Sequence, residues 1–522
     1  MDYEEYRTSL IQGYYDHQLE TLMSEFDPRR KTVILLPGGM GSQLERTEHA
    51  YPASPNVIND VVWLDAGIIF PKYDALKLEI DGTGKDEGEH VIAAHGPVRF
   101  FWENPYTDLR DRARVKGWNY GVFGYDWRRP LKESSEYFKR WILDFQQRVR
   151  NDFGAQYDPI PNLTIVCHSM GGLVATTALS DAAFSGLGFS AIMTIATPFY
   201  GTSTQQERYF MGIPSLNAIY GAKVVVRIVG SLPGPYTLMF PPKAVYDANH
   251  AAIGLSRYPV FDATDNGKVC DPYDVAMLQR WPTTVRNNWQ AVQAARNEMI
   301  GIAAPINANI APKFFNVRSR LDNATAVELI WNDIDGDTID PEVGPSPLAG
   351  LAGPGDGTVP GWSAFHAHCT NRLDLLQAKD HGNLLRHEEV LTLIEKVVAT
   401  GKLPSAKLHG KATVKRVAKA AAKGPKTASP QEVNRVLGKW AAQSRAKQAA
   451  PPPAELFEKS IQSAFLGDLI GGTKPRLVGT SPLAADQTPA LAGKRTVKRQ
   501  PTKATKRKPT KRKATKRKAT KR

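Results

Sequence analysis

The chain has 522 residues, enough for one large domain with insertions or for two or three smaller domains. A hydrophobic fraction of 42% and an aromatic fraction of 9% are ordinary for a protein with a sizeable core, and exclude a wholly disordered chain. The net charge of +15 is unevenly spread, because residues 494–522 contain sixteen Lys and Arg and no acidic residue, whereas residues 1–400 carry a net charge near −11. This asymmetry concerns binding partners rather than the fold.

The cysteines and the N-terminus indicate the compartment. Cys167, Cys270 and Cys369 cannot all pair with one another, and their spacing matches no metal site, which predicts free thiols in a reducing environment. The first residues are acidic and polar where a signal peptide would be basic and then apolar. No run approaches the roughly 18 apolar residues of a membrane span. We therefore expect a cytoplasmic protein that holds no metal and no cofactor.

The predicted elements alternate between strands and helices. A helical extension over residues 1–30 comes first, and an amphipathic helix spans Glu133–Val149. Apolar runs bounded by Gly or Pro predict buried parallel strands at 32–36, 120–123, 163–167, 191–196 and 314–317. This alternation predicts an α/β fold, with a mostly parallel sheet covered by helices on both faces over residues 31–400.

Four segments depart from this alternation. Residues 42–117 and 199–312 separate predicted strands by more than an ordinary connection, and we expect them to form a cap over one edge of the sheet. Residues 401–493, rich in Ala, Lys, Pro and Thr, are predicted to be a basic linker with short helices. Residues 494–522 are predicted to be a disordered basic tail.

The segment Leu163–Gly172 (LTIVCHSMGG) predicts a reactive serine. A β-branched strand runs into Ser169, and a helix of small residues follows, the arrangement in which a serine sits on a strained strand-to-helix turn. Small residues are needed two positions before and after the serine, where strand and helix pass closely; Gly171 fits, and Cys167 stands at the usual glycine position. An ordinary glycine-flanked turn is the alternative.

A serine hydroxyl needs a base, and the base needs an acidic partner. In proteins that carry a reactive serine on such a turn, the acid follows the serine along the chain and the histidine comes last. Asp356 in the segment Gly355–Pro360 is therefore the candidate acid. A plain Asp-Gly turn is its alternative reading. The second acidic cluster, Asp333–Asp340, lacks the glycine spacing of a calcium loop and is interpreted as a solvated turn.

Four of the histidines that follow Asp356 in the sequence are candidates for the base. The favoured base is His381, because the loop Ala378–Asn383 leaves the run 373–376, which is predicted to be the last strand of the sheet. The others precede that strand or fall on the following helix; they are His366, His368 and His387.

Two backbone N–H groups are needed to hold the developing oxyanion. One is expected from Met170, directly after the candidate nucleophile. The other is expected from the glycine-rich loop Leu36–Glu45, where Gly39 and Met40 are available. Such a loop could instead cradle a phosphate, although it lacks the spacings typical of nucleotide-binding loops.

The order of several blocks resembles the lecithin:cholesterol acyltransferase family, which includes phospholipid:diacylglycerol acyltransferases and related phospholipases A. The blocks are Val33–Glu45 (VILLPGGMGSQLE), Gly124–Arg128 (GYDWR), His168–Gly172, Ile195–Pro198 (IATP) and Gly355–Pro360 (GDGTVP). The resemblance implies an α/β-hydrolase with a cap that acts on acyl esters through a serine acyl-enzyme. It assigns the nucleophile, acid, base and one oxyanion donor to Ser169, Asp356, His381 and Gly39. Tyr125–Arg128 is expected to be a structural block beside the site.

The leading hypothesis is therefore a serine acylhydrolase or acyltransferase for carboxylic esters, with lipid or phospholipid esters as expected substrates. The rival is a catalytically degenerate hydrolase scaffold that binds nucleic acid or another polyanion. The basic tail fits either an anionic membrane surface, at which the protein would be peripheral, or nucleic acid; a dispensable solubilising tail is the third reading.

Overall fold

The computed structural model describes residues 3–46, 61–63, 78–81, 85–86, 91–98, 105–263, 268–332, 339–341, 346–378, 380–403 and 476–481. The predicted basic tail, most of the predicted linker and most of the Asp333–Asp340 turn lie outside these residues.

The strands are β1 (Thr32–Leu36), β2 (Ser42–Arg46), β3 (Val61–Trp63), β4 (Ile92–Pro97), β5 (Asn119–Val122), β6 (Leu163–His168), β7 (Ala191–Ile195), β8 (Val260–Asp262), β9 (Lys268–Val269), β10 (Phe314–Arg318), β11 (Asp322–Trp331), β12 (Leu348–Gly355), β13 (Asn371–Asp374) and β14 (Arg476–Thr480). The α-helices are α1 (Tyr3–Met23), α2 (Thr107–Val115), α3 (Leu131–Phe153), α4 (Met170–Leu179), α5 (Ala182–Ser185), α6 (Ser203–Met211), α7 (Pro214–Tyr220), α8 (Ala222–Ser231), α9 (Lys243–Ile253), α10 (Thr283–Asn287), α11 (Trp289–Ile302) and α12 (Glu388–Thr400). Short 3-10 helices occupy Ile160–Asn162, Gly234–Leu238, Val275–Arg280, Ala311–Lys313 and His381–Arg386.

A six-stranded parallel sheet forms the centre of the fold. Its strand order is β13-β10-β7-β6-β1-β5, and every neighbouring pair runs parallel. The chain thus starts inside the sheet at β1, crosses to β5, returns past β1 to β6 and then adds strands outward. This is the α/β-hydrolase fold, and the predicted fold class is confirmed.

Alternating side chains of the central strands face two separate cores. On β1, Ile34 and Leu36 join the core formed with α1, α3 and α4, whereas Val33 and Leu35 join the core that includes α12 residues. Both faces are fully buried, which explains why these strands read as continuous apolar runs rather than as alternating patterns.

A second sheet was absent from the sequence prediction. It has five strands in the order β14-β12-β11-β8-β9. The antiparallel hairpin of β11 and β12 follows β10, so Asp356 is reached through β12 and not directly from the predicted strand at 314–317. The candidate acid therefore stands at the end of a strand from this second sheet.

The strand β14 lies within the segment for which composition predicts a linker with short helices. Residues 476–480 instead pair in parallel with β12, and the N–H of Ser481 donates to the carbonyl of Ala352 at 2.7 Å. The Ser481 hydroxyl also donates to the buried carboxylate of Glu328. This segment therefore covers the edge of the strand that leads to Asp356.

We expect a chain ending after residue 475 to be less stable than one ending after residue 481. The six residues supply the backbone hydrogen bonds of β14 and a donor to buried Glu328. At about 1 kcal/mol net per hydrogen bond, their loss should cost about 2–4 kcal/mol. Urea unfolding of the two chains measures the difference, and coincident transitions would contradict the docking of β14 on β12.

The segments predicted to cap the sheet contain elements of their own. Within 42–117 the described residues include a small sheet of order β3-β2-β4 and helix α2; within 199–312 they include α6 to α11, β8 and β9. None of the described helices combines the length and apolar character needed to cross a membrane.

Candidate active site

Ser169 lies on the turn between β6 and α4. Its backbone has φ 50° and ψ −125°, in the left-handed half of the map that residues with a side chain rarely adopt. The Ser169 N–H donates to the carbonyl of Ile195 on β7 at 3.0 Å, which ties the strained turn to the sheet. The strain directs the hydroxyl away from the sheet and into a cavity.

The glycines after Ser169 are required by close backbone contacts. A Cβ on Gly171 would lie 2.4 Å from the carbonyl oxygen of Pro37 and 2.5 Å from that of Leu36. A Cβ on Gly172 would lie 1.9 Å from Thr197 Oγ1. On the other side of the turn, the Cys167 side chain is accommodated in the core, fully buried. The spacing rule therefore acts on the helix side, where α4 passes the end of β1.

The structure brings the three predicted side chains together. His381 Nε2 is 2.9 Å from Ser169 Oγ, and His381 Nδ1 is 2.7 Å from Asp356 Oδ2. The second carboxylate oxygen of Asp356 accepts from the N–H groups of Thr358 at 3.0 Å and Val359 at 2.7 Å. With Nδ1–H donating to Asp356, Nε2 is left to accept the Ser169 hydroxyl proton.

The remaining candidate histidines lie elsewhere. His387 is the N-cap of α12 and accepts from the N–H of Glu389. His366 is buried against the carbonyl of Ile302, 2.7 Å from Nε2, and His368 follows it on the same turn. His381 is the first residue of a 3-10 helix after β13, at the carboxyl edge of the central sheet.

Hydrogen bonds narrow the choice of oxyanion donors. In the loop after β1, the N–H of Gly38 donates to Tyr106 Oη at 2.9 Å and the N–H of Gly41 donates to the Gly38 carbonyl at 2.9 Å. The N–H groups of Gly39 and Met40 remain as candidate donors in this loop, and both residues line the same cavity as Ser169. Met170 is the first residue of α4, so its N–H has no acceptor in a preceding helical turn.

The cleft at Ser169 contains about 910 Å³ of empty space, part of which is open solvent. Apolar residues from α7 and α8 form much of its wall: Leu216, Tyr220, Val225, Ile228 and Val229. Its polar side chains include Thr202, Gln205 and Arg208 on or beside α6. A pocket with this lining suits an extended apolar group held next to a few polar contacts.

The block Tyr125–Arg128 packs beside the candidate site. Tyr125 Oη donates to the carbonyl of Pro37 at 3.0 Å, which anchors the glycine-rich loop Leu36–Glu45, the candidate oxyanion loop. Arg128 is fully buried and pairs with Asp126 at 2.6 Å and Asp86 at 2.8 Å. Trp127 lines the cavity.

Two residues beside the site were not predicted. His168 contacts the carbonyl of His381 through Nε2 at 3.0 Å, and Tyr106 Oη lies 3.3 Å from His168 Nδ1. The position of His168 next to Ser169 was a usable signal. Tyr106 had none, because its contact joins residues 62 positions apart across a predicted insertion.

Buried His366 should make the stability of the protein depend measurably on pH. Burial lowers the pKa of His366 from 6.5 to about 4, with the carbonyl of Ile302 opposing the shift. Below pH 6.5 the unfolded chain therefore binds a proton at this residue that the folded protein does not bind, so His366 lowers the stability as the pH falls, by about 2 kcal/mol at about pH 5. In His366→Gln this contribution should be absent while that of other buried histidines remains, and urea unfolding at about pH 7.5 and 5 measures the difference. Equal pH dependence in both proteins would contradict the assignment.

Comparisons with known proteins found a matching family model and similar solved structures. A family model described as "Putative serine esterase (DUF676)" matches residues 134–231, which include Ser169. Two solved structures are similar to this chain. "The crystal structure of Tle4-Tli4 complex" is 15% identical, with a TM-score of 0.44, and the match covers 72% of this chain and 100% of the other. A Bacillus licheniformis lipase, BlEst2 in mature form, is 11% identical, with a TM-score of 0.33, and the match covers 72% of this chain and 94% of the lipase. A search of curated protein sequences gives no significant match. The strand order and the family match support a serine hydrolase.

Proposed function

We propose that this protein is a serine acylhydrolase for carboxylic esters, with Ser169, His381 and Asp356 as its catalytic residues. One observation carries the proposal: an unbroken hydrogen-bonded chain from Asp356 through His381 to Ser169, at 2.7 and 2.9 Å, opening on an apolar cavity. Three side chains far apart in sequence meet in the geometry that converts an alcohol into a nucleophile.

The reaction follows from these positions. Ser169 Oγ attacks the ester carbonyl carbon while His381 Nε2 takes its proton, and the carbonyl oxygen becomes an oxyanion held by the N–H groups of Gly39 and Met170. Collapse expels the alcohol, which receives the proton from His381, and leaves an acyl group on Ser169. Water then attacks this ester with His381 again as the base, releasing the acid. Asp356 holds the imidazole orientation and stabilises its positive charge.

The cavity supports a lipid-like ester as the substrate. An acyl chain would lie along the apolar residues of α7 and α8, and burying each CH₂ group there gains about 0.8 kcal/mol. The resemblance to lecithin:cholesterol acyltransferase and its relatives points the same way. An alcohol that replaces water in the second step would give acyl transfer, and we propose hydrolysis as the basal reaction.

A series of p-nitrophenyl esters tests the proposal. Turnover of the wild-type protein should rise from short to medium acyl chains, and Ser169→Ala should lower kcat by at least about 10³-fold. Ser180→Ala is the matched control, because Ser180 is exposed at the far end of α4 and should leave kcat unchanged. Adding a long-chain alcohol and measuring ester product distinguishes acyl transfer. Turnover that survives in folded Ser169→Ala would overturn the proposal.

The basic residues 494–522 support a second, separable activity, which is attraction to an anionic surface. Deleting them should weaken binding to anionic phospholipid vesicles or to DNA, and the two probes distinguish membrane from nucleic-acid binding. Hydrolysis of a soluble short-chain ester should be unchanged. If that turnover collapses with the deletion, the tail and the active site are not independent.

A further inference from the structure

A chain of hydrogen bonds runs around Ser169 without including it. His168, the residue before Ser169, places Nε2 3.0 Å from the carbonyl oxygen of His381 and Nδ1 3.3 Å from Tyr106 Oη. Tyr106 Oη lies 2.9 Å from the N–H of Gly38, at the start of the oxyanion loop. Both His168 and Tyr106 are 1% exposed, so water does not compete for these contacts.

The proton positions in this hydrogen-bond chain follow from its two ends together with a neutral His168. The His381 carbonyl can only accept, so His168 Nε2 carries a hydrogen, and in the neutral imidazole Nδ1 is then left as an acceptor. The Gly38 N–H can only donate, so Tyr106 Oη accepts from it and donates its own hydrogen to His168 Nδ1. This pattern requires a neutral imidazole. Burial lowers the pKa of His168 to about 3, with the neighbouring His381 acting in the same direction, so His168 stays neutral at the pH of catalysis.

This hydrogen-bond chain holds the backbone of His381 on one side of Ser169 and the oxyanion loop on the other. The backbone of His381 is fixed twice, because its N–H donates to the Asp356 carbonyl at 3.1 Å and its carbonyl accepts from His168. The oxyanion loop rests on the same histidine: a Cβ on Gly38 would lie 3.1 Å from both His168 Nδ1 and Ser169 Cβ. Displacing His168 or Tyr106 therefore moves the base, His381, and also Gly38, which precedes the oxyanion donor Gly39, relative to Ser169.

We infer that Tyr106 and His168 are positioning residues, which hold the base His381 and the oxyanion loop at fixed distances from Ser169. The inference rests on the proposed function. Neither side chain touches the reacting atoms. They act through the Gly38 N–H and the His381 carbonyl, and their effect falls on the transition state rather than on binding of the acyl chain.

Three variants and one control test the inference. Tyr106→Phe removes the central hydroxyl, His168→Phe removes both ring nitrogens while keeping the volume, and His168→Gln keeps a donor for the His381 carbonyl. Tyr258→Phe is the control, because Tyr258 is a buried tyrosine whose hydroxyl donates to the Pro241 carbonyl at 2.6 Å outside the cavity lining. It loses a comparable buried hydrogen bond without touching the chain.

We expect Tyr106→Phe and His168→Phe to lower kcat by about 10- to 100-fold, since displacements near 1 Å at reacting groups have effects of this size. The KM should stay within about threefold, because the acyl cavity is intact. His168→Gln should recover part of the loss, and Tyr258→Phe should change neither constant despite a similar fall in Tm. Rates are referred to the folded fraction measured by circular dichroism.

Two outcomes would overturn the inference while leaving the proposed function intact: kcat in Tyr106→Phe equal to that in Tyr258→Phe, or His168→Gln no better than His168→Phe while Ser169→Ala remains inactive. Activity that persists in Ser169→Ala would instead overturn the proposed function.

Discussion

Asp356→Asn is expected to lower kcat for ester hydrolysis by about 10⁴-fold with little change in the fold. The amide oxygen of the new side chain can still accept from the N–H groups of Thr358 and Val359, which bind one oxygen of Asp356 at present. The NH₂ group then faces His381 Nδ1, which must become an acceptor. The hydrogen moves to Nε2 and points at Ser169, so His381 can no longer take the hydroxyl proton.

The matched control for this loss is Asp374→Asn. Asp374 is a half-buried carboxylate at the end of β13, and it pairs with Arg318 at 2.6 Å and Arg320 at 3.1 Å rather than with His381. We expect this variant to reduce stability and to leave kcat within a few-fold of wild type. Steady-state kinetics of the two folded variants measures the difference in kcat. Similar kcat values for both would show that Asp356 does not act in catalysis.

Gly171→Ala is expected to disrupt the site by backbone displacement. Its new Cβ would lie 2.4 Å from the Pro37 carbonyl oxygen, and neither α4 nor the end of β1 can yield without moving the oxyanion loop. Overpacking of this kind costs about 1–3 kcal/mol of stability, and a shift near 1 Å at the donors should lower kcat by about 100-fold.

Gly301→Ala provides the comparison for Gly171→Ala. Gly301 lies in α11 and is not part of the cavity wall, and a Cβ added there would meet no atom within 4 Å beyond its own helix backbone. There alanine should be neutral or stabilising by up to about 1 kcal/mol, because it favours the helix. Thermal unfolding and kcat are measured for both, and a Gly171→Ala protein as active as Gly301→Ala would contradict the close contact at the turn.

The central sheet and the approach of the three site residues could be predicted because local signals coincide with the global fold. The inner strands of the central sheet, β1, β6, β7 and β10, are buried on both faces and therefore appear as apolar runs. Ser169 is marked by the strand before it and the glycines after it. The order of acid and base along the chain then restricts the choice, and His381 leaves the last strand at the edge where Ser169 lies.

The second sheet had no comparable signal. Strand β12 (LAGLAGPG) contains three glycines and a proline, a composition typical of loops, and it is extended because β11 pairs with it on one side and β14 on the other. The pairing of β14 joins residues more than a hundred positions apart. Tyr106 is likewise placed by tertiary packing alone, so neither its contact with His168 nor its link to Gly38 could be read from the chain.

Reaction of the native protein with a fluorophosphonate, followed by mass spectrometry of the labelled peptide, tests directly whether Ser169 is an activated nucleophile. A serine becomes reactive towards this reagent when a base activates it and donors hold the developing charge. We expect one label per molecule on Ser169, none in Ser169→Ala, and much slower labelling in His381→Ala. A folded wild-type protein that stays unlabelled, or that carries the label on a different serine, would contradict this expectation.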